Sequence, residues 1–317
     1  MKIVLPGGSG QVGTILARAF HRDGHEAVVL TRKPETAPWR TVAWDGASAG
    51  AWASEFEGAD AVINLSGRSV NYRYHAANRK SIMDSRVLST RAVGQAIAQA
   101  KRPPRAWLQA STATIYVHRF DAAHDEAMGV IGGNEPNAPD TWNFSIDVAT
   151  TWEKTAREYE SKATRLVLLR SAVTLSPDRG GIFDVMLGLV RKGLGGTNGS
   201  GTQFVSWIHQ ADFVRAIYWI LEHEDLAGPV NLSAPNPLPN AEFMRAFRQA
   251  WGTRIGLPAF AWMIEIGAVF MRTESELVLK SRRVVPGKLL QSGFAFQYPE
   301  WPAAAKELCD AWRAARK

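Results

Sequence analysis

The sequence has very little cysteine and no long apolar run. Cys309 is the one cysteine among 317 residues, so neither an intramolecular disulfide nor a zinc site built on cysteines can form. The most apolar late stretch, 259–271, is interrupted by Glu265 and is too short to cross a bilayer. The first residues lack the apolar stretch and the cleavage site of a signal peptide. We therefore expect a cytoplasmic protein with no membrane segment, and we predict no metal site.

Runs of like charge are also missing. The net charge is +7, yet no five basic residues stand in a row, which favours a solvated basic surface or an anionic ligand over nucleic acid. We expect a small-molecule substrate, with an anion as one candidate class, and no nucleic-acid partner. Arg282 and Arg283 could contact such an anion or lie on a solvated helix face. A monomer and a homodimer both remain open.

Glycine is concentrated in a loop near the beginning of the chain. Gly7, Gly10 and Gly13 stand three residues apart, between a predicted strand at 2–5 and a predicted helix at 11–22. The first glycine permits a sharp turn, the second lets the backbone approach a pyrophosphate, and the third lets the helix pack on the sheet. The alternative is a turn that serves packing alone. The loop predicts a dinucleotide site at the helix N-terminus. Its residues are Gly7, Ser9, Gly10, Gln11, Val12 and Gly13.

Strand and helix patterns alternate from the glycine loop onward. Buried strands are predicted at 27–30, 41–44, 61–64, 106–110 and 166–169. Further helices are predicted at 81–100 and 146–160, with a short one at 52–56. This alternation is typical of an α/β fold with a Rossmann-type, doubly wound parallel sheet, which we assign to residues 1–176.

The second part of the chain, 177–317, is expected to form the substrate-binding region. Glycines crowd residues 180–201, which predicts loops and a short helix over the cofactor site. Strands within 203–235 are expected to return to the Rossmann core. A small, mostly helical C-terminal lobe is predicted at about 255–310, and Asn240 is expected to cap a helix before it.

Basic residues follow the second predicted strand. Sites that select NAD place an acidic residue here, about 20 residues after the glycine loop, to hold the ribose 2′-hydroxyl. This sequence has Thr31, Arg32 and Lys33 instead. Arg32 can pair with a 2′-phosphate in bidentate fashion, and no carboxylate stands at this position to repel it. We predict NADP, with NAD less favoured; the alternative is that Arg32 and Lys33 face solvent.

A polar turn with glycine follows the fourth predicted strand. Ligands of open α/β sheets bind at the carboxyl ends of the strands, where small residues let the backbone approach the ligand. An ordinary strand-to-loop turn is the alternative. The residues assigned to the cofactor site here are Asn64, Leu65, Ser66 and Gly67.

Several motifs together resemble one protein family. The glycine loop, residues 64–67 and the motif at 111–116 resemble the extended, atypical short-chain dehydrogenase/reductases. Residues 84–86, 201–209 and 228–232 are similar to an NAD(P)-dependent epimerase/dehydratase-like subgroup, which ends in a small domain of unknown function. The resemblance implies an NAD(P)-dependent oxidoreductase or epimerase-like enzyme for a small carbonyl or hydroxyl compound. It also places Arg86 in the cofactor site.

In this family a serine or threonine after the fifth strand bonds the substrate carbonyl, and a Tyr-x-x-x-Lys pair supplies the proton. Thr112 falls at the position of the hydroxyl residue, and Ser111 stands beside it. Either hydroxyl can donate to a developing oxyanion, unless the backbone engages both. The pair is missing. When Glu153 is lined up with the family's helix, Ser145 and Ala149 occupy the tyrosine and lysine positions.

Other titratable groups must then replace the missing pair. The candidates are Tyr116, His118, Asp147 and His209, and Tyr116 is preferred because it lies just past the fifth strand. A phenol with a pKa of about 10 needs a cationic neighbour to act near neutral pH. His209 is more typical of a buried histidine that organises a loop, and Asp147 and Asp212 can cap helices. The predicted catalytic residues are Thr112, Tyr116 and Ser111; the alternative is a non-catalytic NADP(H)-binding sensor or interaction protein.

Overall fold

The computed structural model describes residues 1–133, 135–136, 138–270 and 274–316. The strands, in chain order, are β1 (Lys2–Pro6), β2 (Glu26–Thr31), β3 (Arg40–Ala43), β4 (Ala61–Asn64), β5 (Ala106–Thr112), β6 (Arg165–Ser171), β7 (Val173–Leu175), β8 (Phe204–Val205), β9 (Trp207–His209), β10 (Gly228–Leu232) and β11 (Leu238–Pro239). The helices are α1 (Gln11–Arg22), α2 (Ala76–Gln99), α3 (Asp140–Arg157), α4 (Ile182–Arg191), α5 (Gln210–Glu222), α6 (Asn240–Trp251), α7 (Ala261–Phe270), α8 (Glu276–Leu279), α9 (Gly287–Gln291) and α10 (Trp301–Ala314). Short 3₁₀ helices cover Ala51–Phe56 and Ala113–Ile115.

Seven strands form one parallel sheet in the order β3–β2–β1–β4–β5–β6–β10. β1 lies between β2 and β4, with Val4 opposite both Val28 and Val62. The winding of the chain therefore reverses between β1 and β4, and the carboxyl ends of these strands border the crevice where doubly wound sheets bind ligands. The predicted Rossmann-type α/β fold is confirmed.

Apolar residues on both faces of the central strands account for this architecture. Successive side chains of a strand point to opposite faces, so a sheet covered by helices on both sides needs continuous apolar runs. Leu5 packs with Leu16 and Phe20 of α1 on one face. Val4 packs with Val93 of α2 on the other. The N-terminal run of β1 is thus buried completely, as its composition predicts.

Two predicted helices begin too late, and one predicted cap is wrong. The sequence predicts helices from 81 and 146, but α2 begins at Ala76 and α3 at Asp140. The first turns are largely polar, so they lack the apolar spacing on which the prediction rests. Asn240 is the first residue of α6 and does not cap it; its side-chain oxygen accepts from the backbone N–H of Asn198 at 2.8 Å.

The chain returns to the main sheet late. β10 pairs in parallel with β6 at the sheet edge, with Val230 opposite Leu169. In contrast, β8 and β9 pair with β11 and β7 in two small sheets. The C-terminal lobe packs α6 against α10 around Phe243 and Trp301, whose rings stack with centroids 4.1 Å apart. Cys309 is buried in the same cluster.

Most of the apolar stretch 259–271 forms a helix on the surface. It lies in α7, where Trp262 and Ile266 are exposed, and Met271 at its end lies outside the described residues. Over the described ranges, none of the helices combines the length and the apolar character that crossing a membrane requires.

Candidate functional site

The glycine loop makes two close backbone approaches. Gly7 has a φ of +72°, and a Cβ there would lie 2.7 Å from the Cα of Ser66 at the end of β4. A Cβ at Gly13 would lie 2.4 Å from the Cα of Gly8. Contacts this short exclude a side chain at either position. Gly7 thus brings the loop against β4, and Gly13 lets α1 pack against the turn.

Gly10 has a different environment. The nearest atom to a Cβ built at Gly10 is the carbonyl oxygen of Gly7, 3.9 Å away, and its φ of −76° suits any residue. Packing therefore does not require glycine at this position. The space in front of Gly10 lies at the N-terminus of α1, whose first turn has no acidic residue and no capping side chain. The N–H groups of this turn can therefore bind an anion.

The side chains of the other three loop residues of the predicted site are engaged within the protein. The side-chain amide of Gln11 donates to the hydroxyl of Ser176 at 3.0 Å, so it is engaged within the protein. Val12 packs partly buried against the core beneath the sheet. Ser9 accepts a hydrogen bond from the hydroxyl of Thr31 at 3.1 Å, which ties the loop to the end of β2.

A cavity of about 660 Å³ opens beside the loop at the end of β2. Its lining includes Ser9, Thr31, Arg32, Lys33 and Glu35. Arg32 and Lys33 are exposed, and neither side chain has a hydrogen-bond partner within the described part of the chain. The cavity thus presents two cations to a ligand. It also holds the carboxylate of Glu35, which the prediction did not include.

The end of β4 is held by internal hydrogen bonds. The amide nitrogen of Asn64, a fully buried residue, donates to the Gln109 side chain at 2.9 Å, and its oxygen accepts from the N–H of Ser66 at 3.1 Å. Leu65 continues the pairing with β1 by donating to the carbonyl of Pro6. The hydroxyl of Ser66 is buried and has no hydrogen-bond partner among the described residues. Asn64 therefore shapes this turn, and Ser66 retains an unused polar atom beside the glycine loop.

Arg86 lies behind Gly67. A Cβ at Gly67 would lie 3.3 Å from its guanidinium carbon. One guanidinium nitrogen of Arg86 donates to the carbonyls of Arg68 and Ile82, and the group lies over the ring of Trp152. Burial lowers the pKa of Arg86 to about 10, and no carboxylate of the described residues lies within salt-bridge distance. A buried cation without an acidic partner favours the approach of an anion.

These features match a known family. The model of the "NAD dependent epimerase/dehydratase family" matches residues 3–232, and a "Domain of unknown function (DUF1731)" matches residues 259–308. The chain belongs to the NAD dependent epimerase/dehydratase family. The resemblance drawn from the motifs is therefore confirmed, including the separate C-terminal domain.

The family includes relatives that span almost the whole chain. The chain is 34% identical over 314 residues to "Epimerase family protein SDR39U1" of Bos taurus, covering 97% of this chain and 99% of that one. The crystal structure of human epimerase family protein SDR39U1 (isoform2) with NADPH has a TM-score of 0.85 at 32% identity, covering 98% and 99% of the two chains. A short-chain dehydrogenase/reductase superfamily protein from Agrobacterium tumefaciens with bound NAD shares the fold, with a TM-score of 0.73 at 16% identity and coverages of 100% and 98%.

The two predicted hydroxyl residues at the end of β5 differ in what they contact. The Ser111 hydroxyl is buried and donates to the carboxylate of Glu153 at 2.7 Å, which engages it inside the protein. The hydroxyl oxygen of Thr112, which is half-buried, accepts from the N–H of Thr114 at 3.2 Å. Its proton has no acceptor within the described residues, so Thr112 can donate to a ligand. The arrangement opposes the role expected of Ser111 and permits that of Thr112.

Tyr116, the preferred proton donor, has the cationic neighbour that a phenol needs, but it is buried and its hydroxyl is engaged. The ring of Tyr116 is 2% exposed, and its hydroxyl donates to Asn231 at 2.9 Å and accepts from Arg170 at 3.0 Å. Burial raises the pKa of Tyr116, although Arg170 acts in the opposite direction. Both hydrogen-bonding positions are used, and the pKa moves away from neutrality. These contacts oppose the role of proton donor predicted for Tyr116 and favour a structural role.

His118 and His209 are also engaged within the protein, whereas Asp147 is exposed. His118 accepts from the N–H of Ser281, and burial lowers its pKa. Asp147 is exposed in the middle of α3, so it does not cap that helix. His209 is buried, caps α5 at the N–H of Ala211 and contacts Glu307 at 2.7 Å, as a histidine that organises a loop should. The carboxylate of Asp212 accepts from the N–H groups of Gln297 and Tyr298 instead of capping α5.

A polar cluster that the sequence did not indicate lies around Ser145. The Ser145 hydroxyl donates to the carboxyl group of Glu276, and Tyr74 lies close enough to Ser145 and Glu276 for both to influence its pKa. Arg282 is largely buried here and donates to the Thr114 hydroxyl at 3.1 Å, so it does not lie on a solvated helix face. These residues come from α3, the 3₁₀ helix Ala113–Ile115, the C-terminal lobe and the segment before α2. The spacing of residues along the sequence gives no signal for their convergence.

Proposed function

We propose that this chain is an NADP(H)-dependent oxidoreductase or epimerase-like enzyme that acts on a small carbonyl or hydroxyl compound. The observation that carries the proposal is the open space before Gly10 at the uncapped N-terminus of α1, next to a cavity lined by Arg32 and Lys33. The NADPH in the human relative supports the same cofactor. In this arrangement the backbone of the loop holds the diphosphate, and Arg32 holds the 2′-phosphate.

The residues present fit such a cofactor. A Cβ at Gly10 would occupy space that no protein atom fills, and the Ser66 hydroxyl beside the loop has an unused hydrogen-bonding position. When bound, the nicotinamide supplies or accepts a hydride. The protein then has to hold the substrate oxygen. Thr112 is suited to this task because its proton is uncommitted and it stands at the carboxyl end of β5.

The test is a screen of NADPH oxidation against a panel of aldehydes and ketones. Thr112→Val on any active substrate should lower turnover by about 10²-fold or more with unchanged NADPH affinity, since it removes a donor to the developing oxyanion. Thr253→Val, a threonine in the loop after α6, is the matched control and should keep full activity. Tight NADPH binding with no turnover of any carbonyl would instead favour a sensor.

A further inference from the structure

The carboxyl group of Glu276 is fully buried between the C-terminal lobe and α3. One of its oxygens accepts from the Ser145 hydroxyl. The other has no hydrogen-bond partner among the described residues; the Lys280 ammonium lies 3.9 Å away and the Arg282 guanidinium 3.7 Å away. A buried carboxylate normally collects several hydrogen bonds, whereas a carboxylic acid needs fewer. The unpartnered buried oxygen favours the neutral acid over the carboxylate.

Burial and the neighbouring cations have opposite effects on the pKa of Glu276. Burial favours the neutral acid and raises its pKa, whereas Arg282 and Lys280 stabilise the anion. Burial also lowers the pKa of Lys280 to about 8. The titratable and charged groups that face Glu276 are Tyr74 from the segment before α2, and Glu274, Lys280 and Arg282 from its own lobe. Burial therefore favours the proton on Glu276, and Arg282 and Lys280 can stabilise the charge once the proton leaves.

The same cluster contacts the segment that carries Thr112. The Arg282 guanidinium donates to the Thr114 hydroxyl at 3.1 Å, and the Lys280 ammonium donates to the Thr114 carbonyl at 3.0 Å. Thr114 in turn donates its N–H to Thr112. Ser145 is half-buried, in contrast to Glu276 behind it. The Ser145–Glu276 pair and Thr112 are thus held in one hydrogen-bonded unit.

We propose that Glu276 is held as a carboxylic acid and, through the hydroxyl of Ser145, supplies the proton that the substrate oxygen needs. This inference rests on the proposed function. As a hydride adds to the carbonyl carbon, the C=O double bond becomes a single bond and the cofactor is oxidised. When Glu276 is the acid, its O–H donates to the Ser145 oxygen, which frees the Ser145 proton for the substrate oxygen. The substrate oxygen takes that proton, and Ser145 takes the proton of Glu276. The Glu276 carboxylate remains beside Arg282 and Lys280, and it regains a proton from water.

The protonation state can be tested on the full chain without a substrate. A carboxyl group with a raised pKa in the folded protein binds more protons there than in the unfolded chain, so stability falls as the pH rises above the ordinary value of about 4.5. We compare the unfolding constants of the starting protein and of Glu276→Gln at each pH. The ratio of the first to the second should rise by up to about tenfold for each unit of increasing pH. Glu265→Gln, an exposed glutamate of the same lobe, should leave the pH dependence unchanged. A ratio that is flat above pH 4.5 would show that Glu276 is ionised and overturn the proposal.

The chemical role is tested on a substrate from the NADPH screen. Glu276→Gln and Ser145→Ala should each lower turnover by about 10²-fold or more, since positioned acids contribute about 10² to 10⁴-fold. NADPH affinity, measured by titration, should be unchanged in both. Full turnover in both variants would refute the relay while leaving the proposed function standing. If no carbonyl compound is turned over in the screen, both the proposed function and the role of Glu276 as proton donor are contradicted. The pH dependence of the unfolding ratio needs no substrate, so it tests the protonation of Glu276 independently.

Discussion

Arg170 on β6 donates two parallel hydrogen bonds of 2.8 Å each to the carboxylate of Glu153 on α3, and both side chains are less than a tenth exposed. The carboxylate also accepts from Ser111, and the remaining guanidinium nitrogen donates to Tyr116. This pair raises the pKa of Arg170 and engages two of the three predicted catalytic residues. It therefore fastens α3 to the sheet directly beneath Thr112.

Glu153→Gln should strongly destabilise the fold. The substitution leaves the Arg170 cation buried without its partner, and breaking a buried pair in this way costs about 3–5 kcal/mol. Urea unfolding measures the change. Lys306→Ala removes an exposed i,i+4 pair with Asp310 and should cost less than about 1 kcal/mol. Equal losses in the two variants would contradict the structural importance of the buried pair.

Tyr116→Phe should affect stability more than cofactor binding. The change leaves the Asn231 oxygen without a donor and one Arg170 nitrogen without an acceptor, at a cost of about 1–3 kcal/mol. Thermal unfolding should show this loss, while NADPH affinity stays the same. Turnover on an active substrate should stay within a few-fold of the starting protein. A hundredfold loss of turnover with unchanged stability would restore the original expectation for Tyr116.

Gly10→Val should abolish NADPH binding in a protein that still folds. The side chain has room in the structure and an allowed φ, so its cost is limited to a poorer helix N-cap, about 1 kcal/mol. It would fill the space assigned to the diphosphate. Gly13→Ala is the contrasting variant, because its Cβ would lie 2.4 Å from Gly8 and should destabilise the fold. The measurement is the rise in unfolding temperature with NADPH, which should disappear in Gly10→Val.

Arg32→Ala should weaken NADPH binding by about tenfold or more and leave NADH binding nearly unchanged. A charge-assisted contact of this kind is worth about 1.5–3 kcal/mol, and only NADPH carries the 2′-phosphate. Fluorescence titration of both cofactors measures the two affinities. Arg105→Ala removes an exposed arginine just before β5, away from the glycine loop, and serves as the control. Equal affinities of the starting protein for NADPH and NADH would refute the assignment to NADP.

The sheet was predictable because the sequence patterns that specify its strands lie within the strands themselves. Residues 3–6 and 27–30 are apolar on both faces, and the glycine loop stands directly between strand and helix, so α1 begins and ends where its spacing indicates. The polar first turns of α2 and α3 carry no such pattern. Their starts were set by tertiary contacts, such as that of Tyr74 with Phe144.

The candidate catalytic residues were less predictable because their partners are remote. The hydroxyl of Tyr116 is engaged by Asn231, 115 positions later, and Ser145 meets Glu276 across 131 positions. No spacing rule relates such pairs. The resemblance to the family identified the hydroxyl groups near β5, but only the fold shows that, among the described residues, the proton of Ser111 is engaged and that of Thr112 is not.

The late return of β10 to the sheet has a consequence for synthesis of the chain. β6 is complete at Ser171, but its outer neighbour, Gly228–Leu232, leaves the ribosome only about 60 residues later. During that interval β6 presents an open parallel edge, and such edges pair readily with other chains. A nascent or truncated chain that ends near residue 176 should therefore aggregate, even though it contains the entire glycine loop.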